Sequence, residues 1–144
     1  MHITIPPNIV VKHTGTERGR GVFTQRTLYI GDVVEQAPVI PIETPPNTIG
    51  KEVHQIMFAW DVHSTTEPNL VIALGYGSLY NHDNPANMCY EADTTNMVMK
   101  FIAARDIKAG EELTINYNAL DGGVKSQDNF WFDNINITPI TGSK

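Results

Sequence analysis

The chain has 144 residues, enough for one ordinary domain, and its 41% hydrophobic and 18% charged residues are typical of a folded globular protein and exclude a disordered chain. No apolar run approaches the roughly 20 residues that span a bilayer, and the N-terminus lacks a signal-peptide pattern. We therefore expect a soluble intracellular protein with no membrane partner. It would be cytoplasmic or nuclear, or secreted into a host cell without a recognisable signal. The net charge of −6, with scattered basic residues, argues against direct nucleic-acid binding and favours a cationic protein partner.

Glycine, proline and β-branched residues recur at short intervals, which predicts many short strands. The predicted strands are residues 8–12, 21–24, 32–38, 70–74, 97–103 and 112–116. A helix is predicted over residues 48–60, because its apolar residues recur at spacings of three and four. These apolar residues are Ile49, Val53, Ile56, Met57 and Trp60. We therefore expect a small helical insert, at about residues 44–68, between two β-rich halves.

The two halves share a weak internal sequence similarity. Residues 25–34, QRTLYIGDVV, resemble residues 104–113, ARDIKAGEEL. Each segment has a polar-apolar turn, a glycine suited to positive φ, an acidic residue and then a strand. This pattern predicts a fold that uses one kind of β-corner twice.

Cysteine and histidine are not arranged for metal binding. The single cysteine, Cys89, excludes an internal disulfide and a cysteine-rich zinc site, and we expect it to be a partly buried, inert residue. The five histidines show no ligand-like spacing, so no metal is predicted. They are His2, His13, His54, His63 and His82.

Three separate segments carry groups that could perform chemistry. The first is GRGVF at residues 19–23, a glycine turn that lets the backbone approach a ligand closely. The second is ALGYGSLYNHDNPAN at residues 73–87, in which Asn81 and His82 lie between apolar neighbours and a turn. The third is GEELTINY at residues 110–117, a strand that ends at Tyr117. Taken singly, each segment is explained as well by an ordinary turn or by strand packing.

In this order and spacing, the three segments resemble the SET-domain protein-lysine methyltransferases, and they look most like the small viral SET proteins. The resemblance covers roughly residues 9–121. It implies a mostly β, SET-type β-clip fold of short sheets with a C-terminal pseudoknot. The expected organisation is a SET domain over residues 1–121, followed by an aromatic tail over residues 122–144.

The resemblance also implies a function: transfer of a methyl group from S-adenosylmethionine to a lysine side chain of a protein such as a histone. Tyr117 would be the catalytic residue, orienting the amine without acting as a strong base. The residues implied in cofactor binding are Gly19, Arg20, Gly21, Tyr80, Asn81, His82, Tyr117 and Trp131. The residues implied in the substrate-lysine channel are Trp60, Tyr76 and Tyr117. A homodimer that completes the site is also compatible with the resemblance.

The second segment departs from the family pattern. Asp83 follows His82 where the family usually has serine, and Ala86 precedes Asn87 where the family has proline, with Pro85 one place earlier. Two alternatives therefore stay open. One is a SET-like module that binds a ligand but transfers no methyl group, and the other is a β-clip domain of the antifreeze or sugar-acid-synthase type.

Overall fold

A computed structural model describes residues 8–43, 48–60, 70–119 and 121–126 of the chain. Within these residues the protein is mostly β, as predicted. The strands are β1 (Ile9–His13), β2 (Arg20–Thr24), β3 (Val33–Ile42), β4 (Met57–Ala59), β5 (Leu70–Ala73), β6 (Asn81–His82), β7 (Met88–Asp93), β8 (Val98–Ala103) and β9 (Glu112–Ile115). One short helix, α1 (Lys51–His54), and a 3-10 turn (Gly77–Leu79) accompany them. No helix in the described part is long and apolar enough to cross a membrane.

The strands form two sheets. The first has the order β1-β2-β9-β6, in which β6 runs parallel to β9 and the other pairs are antiparallel. The second has the order β4-β5-β3-β8-β7 and is antiparallel throughout. Along β8, Met99, Phe101 and Ala103 are buried while the residues between them are partly exposed, so alternate side chains supply the core.

The two similar segments, residues 25–34 and 104–113, form a pair of β-corners that contact each other. Leu28 and Ile107 exchange backbone hydrogen bonds of 2.8 Å in each direction. Gly31 and Gly110 occupy equivalent places with φ of 90° and 94°, a conformation that favours glycine. One corner carries the chain from β2 to β3 and the other from β8 to β9, so both lie where the chain passes between the sheets. The prediction of one β-corner used twice is confirmed.

The predicted helix over residues 48–60 is wrong except for one turn within it. Only Lys51–His54 is helical, and Met57–Ala59 forms β4 against β5, where Met57 faces Ile72 and Phe58 faces Val71. This pairing buries Met57 and Phe58 in the hydrophobic interior. Val53 and Ile56, which a helical stripe would have buried, are 42% and 39% exposed. Cross-strand pairing therefore overrides the local helical spacing.

The six predicted strands are all present, and their ends shift by a few residues. β3 continues to Ile42, four residues beyond its predicted end at residue 38. The sequence reading did not include β4, β6 or β7. β6 has only two residues and β7 is MCYEAD, so neither offers a clear alternation of apolar and polar side chains.

Candidate active site

Tyr117 lies two residues after the end of β9 and is held by His82 in β6 and by Tyr80, which precedes β6. Its backbone N–H donates to Nδ1 of His82 at 3.0 Å, and its hydroxyl donates to the backbone carbonyl of Tyr80. The parallel pairing of β6 with β9, which sets Asn81 opposite Thr114, brings these segments side by side. The second and third sequence segments therefore meet at Tyr117.

The hydroxyl of Tyr117 is kept protonated by its surroundings. Burial raises its pKa well above the ordinary value, and the negative charge of Glu112 raises it further, against a smaller lowering effect of Arg18. A neutral hydroxyl can donate one hydrogen bond and accept others. The side chain is therefore suited to orienting a polar group and unsuited to acting as an anionic base.

A narrow cavity ends at Tyr117. Its volume of about 20 Å³ is close to the space of one water molecule. The lining residues come from four parts of the fold, β4 with the two residues before it, the 3-10 turn with the residue after it, β7 and the segment after β9: Gln55, Ile56, Met57, Phe58, Ala59, Gly77, Ser78, Tyr80, Tyr90 and Tyr117. Among them the hydroxyl of Tyr90 donates to the carbonyl of Ala119 at 3.0 Å, and the hydroxyl of Tyr117 donates to the carbonyl of Tyr80.

The N-terminal glycine turn joins the same region. Gly19 has φ of 77°, which the turn requires, and its carbonyl accepts from the N–H of Thr14 at 2.8 Å. Gly21 is buried, and a Cβ there would collide with the carboxylate of Glu112. The backbone carbonyl of Arg20 accepts from the side-chain amide of Asn81 at 2.8 Å. All three sequence segments are therefore in contact.

A small charged network lies beside the glycine turn. The amide of Asn81 also donates to Oε2 of Glu112 at 2.7 Å, and Arg18 lies 3.4 Å from Oε1 of Glu112. A second oxygen, Oδ1 of Asp83, lies 4.0 Å from the guanidinium of Arg18. Arg18, Asp83 and Glu112 were not identified as site residues from the sequence. The sequence marks them only by position: Arg18 precedes the glycine turn, Asp83 follows the Asn-His pair, and Glu112 begins the closing strand.

A second and larger cavity adjoins this network. Its volume of about 440 Å³ is in the range of small-molecule sites, and Asp83, Asn87 and Glu112 are among its lining residues. Asn87 ties the turn to β9, because its amide donates to the carbonyl of Glu112 at 2.8 Å and its oxygen accepts from the N–H of Thr114 at 2.9 Å. The altered turn after His82 thus still anchors the closing strand.

The remaining sequence-predicted residues lie as follows. The ring of Tyr80 is fully buried in the core, so only its backbone carbonyl reaches Tyr117. Tyr76 and Trp60 are partly buried and pack against the core without lining the narrow cavity. Trp131 lies outside the described residues, as does the aromatic tail beyond residue 126.

Comparison with known proteins identifies the family. Residues 19–118 match the sequence profile of the SET domain. The chain is 30% identical over 122 residues to a Schizosaccharomyces pombe protein named histone-lysine N-methyltransferase, H3 lysine-37 specific, and the match covers 82% of this chain and 74% of that protein. A crystal structure of a candidate histone methyltransferase from Plasmodium falciparum shares the fold with a TM-score of 0.61 at 24% identity, covering 80% of this chain and 96% of that one.

The chain therefore belongs to the SET domain family of protein-lysine methyltransferases, whose methyl donor is S-adenosylmethionine. The residues of the site are chemically suited to this cofactor. Its methionyl part carries an ammonium and a carboxylate, and the network offers the Arg20 carbonyl and Glu112 carboxylate for the first and the Arg18 guanidinium for the second.

Proposed function

We propose that this protein transfers a methyl group from S-adenosylmethionine to a lysine of a basic protein substrate, with Tyr117 as the catalytic residue. The observation that carries the proposal is the meeting of three distant segments at one tyrosine. Asn81 joins the glycine turn to β9, and His82 and Tyr80 hold the backbone and hydroxyl of Tyr117.

The two cavities divide the site into two parts in this proposal. The cofactor would be held by the residues around Gly19 and Gly21, the Asn81-His82 pair and the cavity beside Asp83. The substrate amine would lie in the narrow cavity beside Tyr117, whose volume of about 20 Å³ fits a group of that size.

When bound, S-adenosylmethionine supplies an electrophilic methyl group on a sulfonium. The lysine amine must reach it in the neutral form, although its ordinary pKa is about 10.4. Burial beside Phe58 and Met57 would disfavour the ammonium, so the amine would lose its proton to solvent before attack. The Tyr117 hydroxyl donates to the Tyr80 carbonyl, and its oxygen would accept an N–H of the amine in this proposal. Alignment of this kind can supply about 7–11 kcal/mol in good intramolecular reactions.

Histones are the first substrates to test. The net charge of −6 favours attraction of lysine-rich proteins, and the S. pombe relative is named for lysine 37 of histone H3. A histone substrate would place the protein in the nucleus.

We expect Tyr117→Phe to lower turnover by tenfold or more, which corresponds to about 1.4 kcal/mol or above in the barrier. Affinity for S-adenosylmethionine, measured by isothermal titration, should change less than about twofold, because the hydroxyl serves the amine side of the site. Methyl transfer to a histone mixture is measured with labelled cofactor.

The matched control is Tyr29→Phe, which removes the hydroxyl of a tyrosine that is 60% exposed on a β-corner. This control should keep wild-type turnover. Wild-type turnover in Tyr117→Phe would remove Tyr117 from the catalytic role.

A further inference from the structure

A buried carboxyl group lies directly behind the active site. Glu35, in β3, is only 2% exposed. Its burial results from a β-bulge, because the pairing of β3 with β8 shifts register between Val33 and Glu35 and both Val34 and Glu35 turn inward. Bulges of this kind are frequent beside active sites, where they redirect a side chain.

The two oxygens of Glu35 bind the two ends of a single segment. Oε1 accepts the hydroxyl of Tyr80 at 2.7 Å, and Oε2 accepts the backbone N–H of Tyr76 at 2.9 Å. The 3-10 turn (Gly77–Leu79) lies between these two residues. One carboxyl group therefore spans the turn from end to end.

Two glycines allow the segment to lie this close to the sheet. A Cβ on Gly75, which has φ of 64°, would collide with Oε2 of Glu35. A Cβ on Gly77 would lie 2.6 Å from the Cβ of Ala73, closer than real Cβ atoms approach. The close approach of this segment to the sheet requires glycine at both positions. The two glycines therefore permit the contact of the turn with Glu35.

A buried carboxyl is a poor device for stability. Burial raises the pKa of Glu35, since removing the carboxylate from water outweighs the two hydrogen bonds that favour its ionised form. An apolar side chain of similar size often stabilises a core as well or better. The role of the Glu35 carboxyl group therefore depends on the residue that it holds in place.

The residue that Glu35 holds in place is Tyr80. The hydroxyl of Tyr80 binds Glu35, and the backbone carbonyl of the same residue receives the hydroxyl of Tyr117. We infer that Glu35 is a positioning residue, which fixes residues 76–80 so that the Tyr80 carbonyl aims the Tyr117 hydroxyl at the substrate amine. The inference rests on the proposed function.

The test compares Glu35→Ala with Glu35→Gln, using kcat, the KM for the lysine substrate and the affinity for cofactor. Alanine removes both contacts, so kcat should fall by about tenfold or more, as expected for a displaced catalytic group. Cofactor affinity should stay within about twofold of wild type, because the contacts of Glu35 lie on the amine side of the site. Glutamine can accept from the Tyr76 N–H and donate to the Tyr80 hydroxyl, so it should restore most of the lost kcat.

Two further variants keep the inference testable if Glu35→Ala does not fold. Tyr80→Phe removes only the hydroxyl that binds Glu35, and its kcat should fall severalfold with unchanged cofactor affinity. Ile107→Val, in a β-corner, is the control for lost stability alone: it should lower the melting temperature and keep kcat.

The outcomes separate the inference from the proposed function. A Glu35→Ala variant with wild-type kcat, or a Glu35→Gln variant as impaired as Glu35→Ala, overturns the inference alone. A wild-type protein that binds cofactor and methylates no lysine overturns the proposed function, and the inference falls with it. Loss of kcat in Glu35→Ala with recovery in Glu35→Gln supports both.

Discussion

At Tyr117 the backbone and the side chain are fixed by different partners. His82 accepts the backbone N–H through Nδ1, and the Tyr80 carbonyl accepts the hydroxyl. The imidazole of His82 is thus a structural acceptor, and the group that meets substrate in our proposal is the neutral hydroxyl. The sequence identified both residues, but it could not separate these two roles.

The protonated state of Tyr117 leads to a prediction for the pH dependence of turnover. A raised phenol pKa means that the anion forms only at higher pH than usual, so the hydroxyl stays protonated as pH rises to about 10. Between about pH 7 and pH 10 we expect kcat/KM to rise, because a growing fraction of substrate lysine is neutral. A fall of kcat/KM within that range that disappears in Tyr117→Phe would show that the phenol ionises there.

The amide of Asn81 leads to a separate prediction for cofactor binding. Asn81→Ala removes the donor that joins the Arg20 carbonyl to the Glu112 carboxylate. We expect the dissociation constant for S-adenosylmethionine to rise about tenfold, near 1.4 kcal/mol. Isothermal titration measures it, with Asn96→Ala, in an exposed turn held to Asp93, as the control. Unchanged affinity in Asn81→Ala would exclude this residue from the cofactor site.

At the scale of the elements, β9 is the strand on which the site depends. It pairs with β2 on one side and β6 on the other, and it carries Glu112 at one end and leads to Tyr117 at the other. Asn87 adds a side-chain clamp between the turn before β7 and this strand. The placement of β9 therefore determines the geometry of both parts of the site.

Loss of the Asn87 clamp should destabilise the protein. Asn87 is 5% exposed, and Asn87→Ala would leave the carbonyl of Glu112 and the N–H of Thr114 without these partners. We expect the free energy of unfolding to fall by about 1–3 kcal/mol, measured by urea denaturation. The exposed Asn96→Ala substitution should stay within about 0.5 kcal/mol of wild type. An equally small effect of Asn87→Ala would show that the clamp contributes nothing to stability.

Elements that depend on long-range contacts could not be predicted from the sequence. Six of the nine strands in the described residues were predictable from their alternation and from the turns that bound them, and the order of three motifs predicted the family. The helix over 48–60 failed because pairing of Phe58 with Val71 is a long-range contact that local spacing cannot reveal. Glu35 was missed for a related reason: the bulge that turns it inward depends on the register of β3 against β8.

At the scale of the whole molecule, the site is assembled from segments far apart in the chain. Arg18 and Glu112 are 94 positions apart, and Asn81 lies 61 positions from the carbonyl it binds. Folding and site formation are consequently coupled, and a ligand that binds only the folded protein must stabilise it.

This coupling gives a prediction for thermal stability. At a cofactor concentration about 100 times its dissociation constant, S-adenosylmethionine should stabilise the folded protein by about 2.7 kcal/mol. Thermal unfolding with and without cofactor measures the shift, and the shift should shrink in Asn81→Ala at the same cofactor concentration. A melting temperature that is indifferent to cofactor would contradict a cofactor site in the folded chain.

The most direct measurement of the central claim is mass spectrometry of core histones after incubation with the protein and S-adenosylmethionine that carries an isotopically labelled methyl group. We expect labelled methyl groups on lysine side chains with the wild-type protein, and at least about tenfold fewer with Tyr117→Phe under the same conditions. A wild-type protein that binds the cofactor and leaves every lysine unlabelled would contradict it.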